Sequence, residues 1–381
     1  MQVEEDFRKL ASICIVDNIE EIIGADNIIK ATVKGWTVVS KKGNFNIGDK
    51  CIYVEIDSLF PSNNPAFNEF KGPIKTRVIR GIVSQGVLLP PKNYLPEIVD
   101  GINLDDLPIG TNVTNILGIT KYTEDLVVTT DTKFPNYLPK TDEERVQNIF
   151  KKIIKAYPNA TFTETEKLDG TSFSAFLDSK DKMQVCSRNC VIDENSNETF
   201  LYTTAISLGI EDLLLRIKKQ LGFTPMLQGE CTGPKIQSNP YKLTSKQIYF
   251  FRLYSISDQK FIDYDTFLKA SGDFGFNTVP ILSRDFKLPN TVNELLKHVD
   301  GNSALCADTK REGSVFIMNS IPSEDTKNNE TNDQEMTEMT EEEKKKESWN
   351  KIKFQNFEEK NRISFKAISN EFLLSKKKAR K

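Results

Sequence analysis

Glu166–Ser172 reads "EKLDGTS" and joins two alternating runs, "ATFTETE" over Ala160–Glu166 and "TSFSAFLD" over Thr171–Asp178. The alternation predicts two strands, with Asp169-Gly170 turning the chain from one into the other. Lys167 then stands at a strand end, held over a sheet. By itself, Lys-x-Asp-Gly is an ordinary turn beside a solvated lysine. An amine that attacks phosphorus must be neutral, so burial or nearby positive charge must lower its pKa. Its site must also neutralise phosphate charge, hold a metal through carboxylates and align the leaving group.

The segments that follow supply such groups in order. "VCSRN" places Arg188 after a strand, and "LQGECTGPKIQSNPY" places Glu230 before a Gly turn. "IYFFRLYSI" is an apolar strand with several aromatics that could stack on a base. "REGSVF" puts Glu312 before a Gly at a strand start, and "RISFKAIS" puts Lys366 within a strand. A lone Glu-Gly before an apolar run is usually just a turn. The ordered series within one domain is the specific signal.

The 381 residues suffice for two or three domains with a sizeable core. A net charge of −3 supplies no bulk attraction to nucleic acid, so any such contact needs a local basic patch. No apolar run has the length of a membrane span, and the acidic "MQVEEDFRKL" start is not a signal peptide. Cys14, Cys51, Cys186, Cys190, Cys231 and Cys306 are scattered, without paired zinc spacing. They read as reduced thiols of a cytoplasmic or nuclear protein. With His298 as the single histidine, in "TVNELLKHVD", a Ser/His/Asp triad or His-based metal site is not expected; His298 reads as a helix surface residue.

Residues 1–100 read as short strands split by Gly and Asp turns, which suggests a small β-barrel. In "KTRVIRGIVSQG", Lys75, Arg77 and Arg80 form a candidate basic face, against the alternative of ordinary solvated charge. Residues 101–135, rich in Pro, Gly, Asp and Thr, read as a connector. "KTDEERVQNIFKKIIKAYP" predicts a helix capped by Thr141 or Asp142, with Glu143 and Glu144 in its first turn. From residue 136 onward, strands and short helices predict an α+β domain of antiparallel sheets. Residues 321–348 have almost no apolar content and read as a disordered insertion. The tail "SKKKARK" reads as a solvated end, with a nuclear signal or RNA contact as the alternative.

The ordered series resembles the covalent nucleotidyltransferase superfamily of ATP-dependent DNA and RNA ligases and mRNA capping enzymes, whose K-x-D-G lysine becomes linked to AMP or GMP. The block from Arg8 through "DSLFP", with "RVIRGIVSQGVLLP" and "KTDEERVQN", is similar to the Naegleria-type (also called Deinococcus-type) RNA ligases, which carry an amino-terminal OB domain. The resemblance covers nearly all the chain except the insertion and the tail. It implies an OB-fold barrel followed by an adenylyltransferase domain. It assigns Lys167 as nucleophile and Lys366 to the α-phosphate. Arg145 would reach the ATP phosphates, Arg188 the ribose or RNA end, Glu230 the ribose hydroxyl, and Phe251 the purine face. Glu166 would join the nucleotide contacts, and Glu312 and Asp169 would hold Mg or Mn. Ser364, where the superfamily often has a lysine, receives no catalytic role.

The implied activity is ATP-dependent sealing of RNA 3′-OH and 5′-phosphate ends through lysyl-AMP, by a monomer, with Lys75, Arg77 and Arg80 on the RNA. The alternatives are a DNA ligase, a GTP-using capping enzyme, or a non-catalytic RNA-binding protein on a ligase fold. The first two usually carry the OB domain after the catalytic domain. Retention of Lys167, Glu230, Glu312 and Lys366 argues against the third.

Overall fold

A computed structural model of the chain describes residues 9–122, 133–193, 196, 199–319 and 363–375. The chain divides into two compact units, Met1–Leu126 with Leu373–Lys381, and Val127–Phe372. The segment 321–348 and the basic tail both lie outside the described residues, so the readings made for them stay with the sequence.

In the first unit, Ala11–Ile15, Lys50–Val54 and Val87–Leu89 form one antiparallel sheet, and Asn18–Glu21, Ile28–Val33 and Trp36–Lys41 form a meander. Alternation along the last two strands sends Ile29, Ala31, Val33, Trp36 and Val38 inward. They share a core with Cys14 and Tyr53 from the other sheet. Each such large apolar side chain contributes about 1.5–3 kcal/mol by leaving water. This is the small barrel expected from the sequence.

A hairpin joins Arg77–Ile79 to Ile82–Ser84 through Arg80-Gly81. Both turn residues take positive φ, 50° and 79°, the geometry that matches the natural strand twist. Lys75, Arg77 and Arg80 are all exposed.

Residues 101–135 do not serve as a connector over their first half. Leu104, Leu107, Val113, Leu117 and Ile119 pack with Ile13, Ile52 and Val54 in a second core of the same unit. The turn residues that suggested a linker instead fold this stretch back, as at Asp100-Gly101, where Val99 pairs with Ile102. Leu373 also packs on this core.

The second unit holds two sheets. The five-stranded sheet runs Glu144–Arg145, Ser364–Ile368, Gly313–Met318, Thr161–Lys167, Ile281–Lys287. The six-stranded sheet runs Val191–Ile192, Met183–Cys186, Thr171–Leu177, Pro225–Thr232, Gln247–Ser255, Lys260–Phe261. Among the described strands of these two sheets, Glu144–Arg145 pairs with the Ser364 strand in parallel and the other strand pairings are antiparallel. Helix Val146–Ala156 lays Val146, Phe150 and Ile153 against Phe162, Phe316 and Phe365 of the first sheet. Helices Ile210–Leu221 and Tyr264–Phe274 cover the second, through Leu213, Leu214, Ile217 and Phe267 on Phe173 and Phe250. The fold is α+β with antiparallel sheets, as expected.

The helix begins later than its sequence suggests. Its N-cap is Arg145, without a side-chain cap bond, rather than Thr141 or Asp142. Asp142 is taken by Lys366 and Glu143 by Arg252 and Ser364, so neither is available to cap the helix. All six cysteines are free thiols. His298 ends helix Val292–His298, partly exposed, against Phe286 and on the Glu164 carboxylate at 2.9 Å.

Candidate active site

Thr161–Lys167 lies inside the five-stranded sheet, and Thr171–Leu177 lies inside the six-stranded one. Leu168-Asp169-Gly170 therefore carries the chain from one sheet to the other. The turn passes close to Pro225–Thr232: a Cβ on Gly170 would stand 2.4 Å from the Cys231 carbonyl oxygen and 2.9 Å from Glu230 Cγ. Only glycine fits there, so the motif glycine sets how near Lys167 comes to Glu230. Gly313 plays the same part after Glu312. It takes φ +151°, and a Cβ would meet the Ala367 carbonyl oxygen at 2.1 Å. The register opposes Lys167 to Gly313, which brings Glu312 beside the lysine.

A cleft opens at this junction, lined by Lys167, Arg188, Glu230, Phe251 and Lys366, with Val279, Val315 and Ile317 as an apolar wall. Lys167 Nζ donates to Glu312 Oε2 at 2.8 Å, with both side chains mostly buried. Burial pushes the lysine amine down, but the Glu312 and Glu230 carboxylates outweigh it and hold the amine above the ordinary lysine value. Glu230 is itself raised to about 7, chiefly by burial, with Lys167 opposing and Glu312 adding repulsion. Lys366 Nζ donates to Asp142 Oδ1 at 2.7 Å. Burial lowers Lys366 to about 8, against Asp142 and with help from Arg145 and Lys167. Arg145 is buried and pairs in register with Lys366 on the neighbouring parallel strand.

Phe251 reaches the cleft through a β-bulge. Gln228 opposes Arg252 while Gly229 opposes Phe250, which leaves Phe251 as the extra residue. Such an insertion re-aims a side chain out of the strand's regular alternation. Phe250 stays in the core while Phe251 lines the cleft.

Of the expected site residues, Glu166 lines the cleft, while Arg145, Asp169 and Glu312 are not among its lining residues. Alternation along the lysine strand separates Glu166 from Lys167. The Glu166 carboxylate accepts from the Ala304 N–H at 2.7 Å, and burial raises its pKa. Its side chain thus anchors the loop that leads to Glu312. Asp169 is buried and does not line the cleft; its N–H donates to the Tyr241 hydroxyl at 2.6 Å. Arg188 is exposed at the rim. Lys75, Arg77 and Arg80 belong to the other unit.

The structure adds residues that the motifs did not mark. Thr141, Asp142, Glu143 and Ser172 line the cleft. Asp142 and Glu143 were visible in the sequence only as apparent helix-cap acids.

Two lysines, two carboxylates and a bulged phenylalanine over an apolar wall form a site for a nucleotide and its phosphates, the kind of centre a nucleotide-transferring ligase needs. Residues 10–91 match a family model described as an OB-fold domain, and residues 160–328 match the RNA ligase family. No curated protein matches the chain. Among solved structures, Naegleria gruberi RNA ligase with PPi is similar at a TM-score of 0.77 and 29% identity, over 98% of this chain and 100% of that one. A Lys-to-Met mutant of that ligase with AMP and Mn is 30% identical at a TM-score of 0.75, over 97% of this chain and 99% of its own. A Lys-to-Ala mutant with ATP and Mn gives 30% and 0.75, over 96% and 99%. The chain belongs to the RNA ligase family.

Proposed function

We propose that this ATP-dependent RNA ligase joins RNA 3′-OH and 5′-phosphate ends through AMP carried on Lys167. The carrying observation is the lysine's position: at the sheet junction, 2.8 Å from Glu312, in one cleft with Glu230, Phe251 and Lys366. Phe251 offers a face for the purine, and the apolar wall excludes water from its other side. The solved relatives with ATP, AMP and Mn support the nucleotide and the metal.

In the first step, Lys167 Nζ forms a bond to the α-phosphorus as the bond to the β-phosphate oxygen breaks and pyrophosphate leaves. The amine must lose a proton first, and the resting pair with Glu312 holds that proton in place. Lys366 and Arg145 bring positive charge to the phosphates. In the second step, an RNA 5′-phosphate oxygen attacks the AMP phosphorus and the P–N bond breaks, returning a proton to Lys167. In the third, the RNA 3′-OH attacks the activated 5′-phosphate and AMP leaves.

Among the described residues, no group of three or more His, Cys, Asp or Glu side chains could hold a metal ion. Glu312, hydrogen-bonded to the cleft lysine, has Glu230 nearby, and a few carboxylates completed by water and phosphate oxygens suit Mg or Mn. Glu312 would hold the ion. When bound there, a divalent cation supplies positive charge that disfavours the lysine ammonium and offsets phosphate charge. Asp169, expected beside Glu312, reaches such an ion only if its carboxylate turns into the cleft.

Lys75, Arg77 and Arg80, exposed on and beside a hairpin, are our proposed phosphate contacts for the RNA strand. A role in RNA repair, a monomeric state and a cytoplasmic or nuclear location complete the reading; the free thiols support a reducing compartment.

The test is incubation with α-labelled ATP or GTP, followed by denaturing electrophoresis. Label from ATP should stay on the wild-type chain and be absent from Lys167→Ala. Labelling of Lys167→Ala, or labelling by GTP alone, contradicts the reading.

A further inference from the structure

Arg252 takes no part in the chemistry above, yet it is 5% exposed and fully engaged. Its Nε donates to Gln228 Oε1 at 2.7 Å, one Nη to the Lys140 carbonyl at 2.7 Å, and the other to Glu143 Oε1 at 3.4 Å. Its guanidinium also lies 4.8 Å from the Phe261 ring centre and 5.5 Å from that of Phe251. A buried arginine is a weak source of stability, because well-packed apolar side chains hold a core as well. What its planar fork fixes is direction.

That direction is toward residues 139–143, a strap between the two sheets. From the six-stranded sheet, Gln228 Nε2 donates to the Pro139 carbonyl at 2.9 Å, and Ser172 Oγ lies 3.0 Å from Thr141 Oγ1. On the five-stranded sheet, Ser364 Oγ donates to Glu143 Oε2 at 2.7 Å, and Lys366 Nζ donates to Asp142 Oδ1. Glu143 thus has one carboxylate oxygen on Arg252 and the other on the strand that carries Lys366. The Glu143 carboxylate thus bonds to both sheets, one oxygen on each.

We propose that Arg252 is a positioning residue for AMP transfer: through Glu143 and the 139–143 strap it sets where Lys366 stands relative to Lys167. This deepens the proposed function and rests on the reading that Lys167 takes AMP from ATP. A shift of about 1 Å at a charge-stabilising group can cost roughly 100-fold in rate while leaving ligand binding nearly intact. The strap therefore acts on the maximal rate. The neighbouring Phe251 gives a competing route, since a disturbed purine platform raises the ATP requirement instead.

The experiment is single-turnover self-adenylylation by the full chain, across ATP concentrations, for wild type, Arg252→Gln, Glu143→Gln and the double variant, with thermal unfolding of each. We expect a maximal rate lowered about 10- to 100-fold, with half-saturating ATP within about 3-fold of wild type. The double variant should be no slower than the slower single, because both cut the same tie. Arg252→Lys keeps the charge without the fork and should not restore the rate. If Arg252→Gln fails to fold, Glu143→Gln, whose amide oxygen still accepts from Ser364, carries the same comparison. Three results overturn the inference: a wild-type rate in a folded single variant, multiplicative losses in the double, or a raised ATP requirement at unchanged maximal rate. A wild-type chain that takes no label defeats the underlying ligase reading, and the inference with it.

Discussion

Lys167 and Lys366 lie in one cleft but are tuned in opposite senses. Lys167, beside Glu312 and Glu230, is held above the ordinary lysine value and gains its neutral form only as pH rises. Lys366, lowered chiefly by burial, keeps its charge below about 8 and loses it above. Step one needs the first neutral and the second charged, so its rate should climb with pH and then level off above about 8, where loss of charge on Lys366 offsets the gain in neutral Lys167. Lys366→Arg keeps a cation at every accessible pH. It should let the rate keep climbing past about 8 even if the altered shape lowers its overall level. Single-turnover adenylylation from about pH 6 to about pH 10 reads this directly. Levelling at the same pH in Lys366→Arg would assign the break to another group. Glu312 and Lys167 were legible in the sequence because each sits close to a glycine that the backbone demands, and such a requirement is local. The Lys366–Asp142 pair was not, since the partners are 224 residues apart.

Two elements make the cleft. One is the bulged strand Gln247–Ser255, which turns Phe251 out of register. Aromatic stacking on a base contributes about 1–3 kcal/mol. Phe251→Ala should therefore raise half-saturating ATP roughly 5- to 150-fold, with a smaller change in the maximal rate. An unchanged ATP dependence would remove the residue from the purine site. The other element is Gly313–Met318, packed so tightly at its start that a Cβ on Gly313 would overlap the Ala367 carbonyl oxygen at 2.1 Å. Gly313→Ala must move backbone on the strand that carries Lys366. We expect a loss of about 3 kcal/mol from strain and overpacking. That lowers the melting temperature by roughly 6–12 °C. The strands and turns of both elements follow from alternation and glycine placement. The bulge does not, because "YFFRLY" offers Phe250 and Phe251 as equivalent aromatics until pairing with Gln228 and Gly229 separates them. The acids before helix Val146–Ala156 misled for a related reason: a cap and a long-range carboxylate contact use the same residue types.

At the scale of the molecule, the described chemistry belongs to one unit and the proposed basic face to the other. Replacing Lys75, Arg77 and Arg80 together by Ala should leave self-adenylylation within about twofold of wild type. Sealing of a nicked RNA should drop and depend less steeply on salt, by about 0.7–0.9 in the log–log slope for each phosphate no longer neutralised. Titrating salt during both reactions distinguishes the effects, and an equal loss in both would deny the hairpin a separate RNA role. The strand order of the five-stranded sheet also bears on when the enzyme becomes active. Among the described residues, Arg145 lies on an edge strand whose pairing is with residues around 366, and Ser364 reaches Glu143 across 221 positions of chain. Pairings so distant in sequence pay their loop-closure entropy early and form slowly. A chain emerging from the ribosome therefore has Lys167 long before Lys366 arrives to complete the phosphate site. On the role proposed for Lys366, the nascent protein would not consume ATP until that last strand is in place.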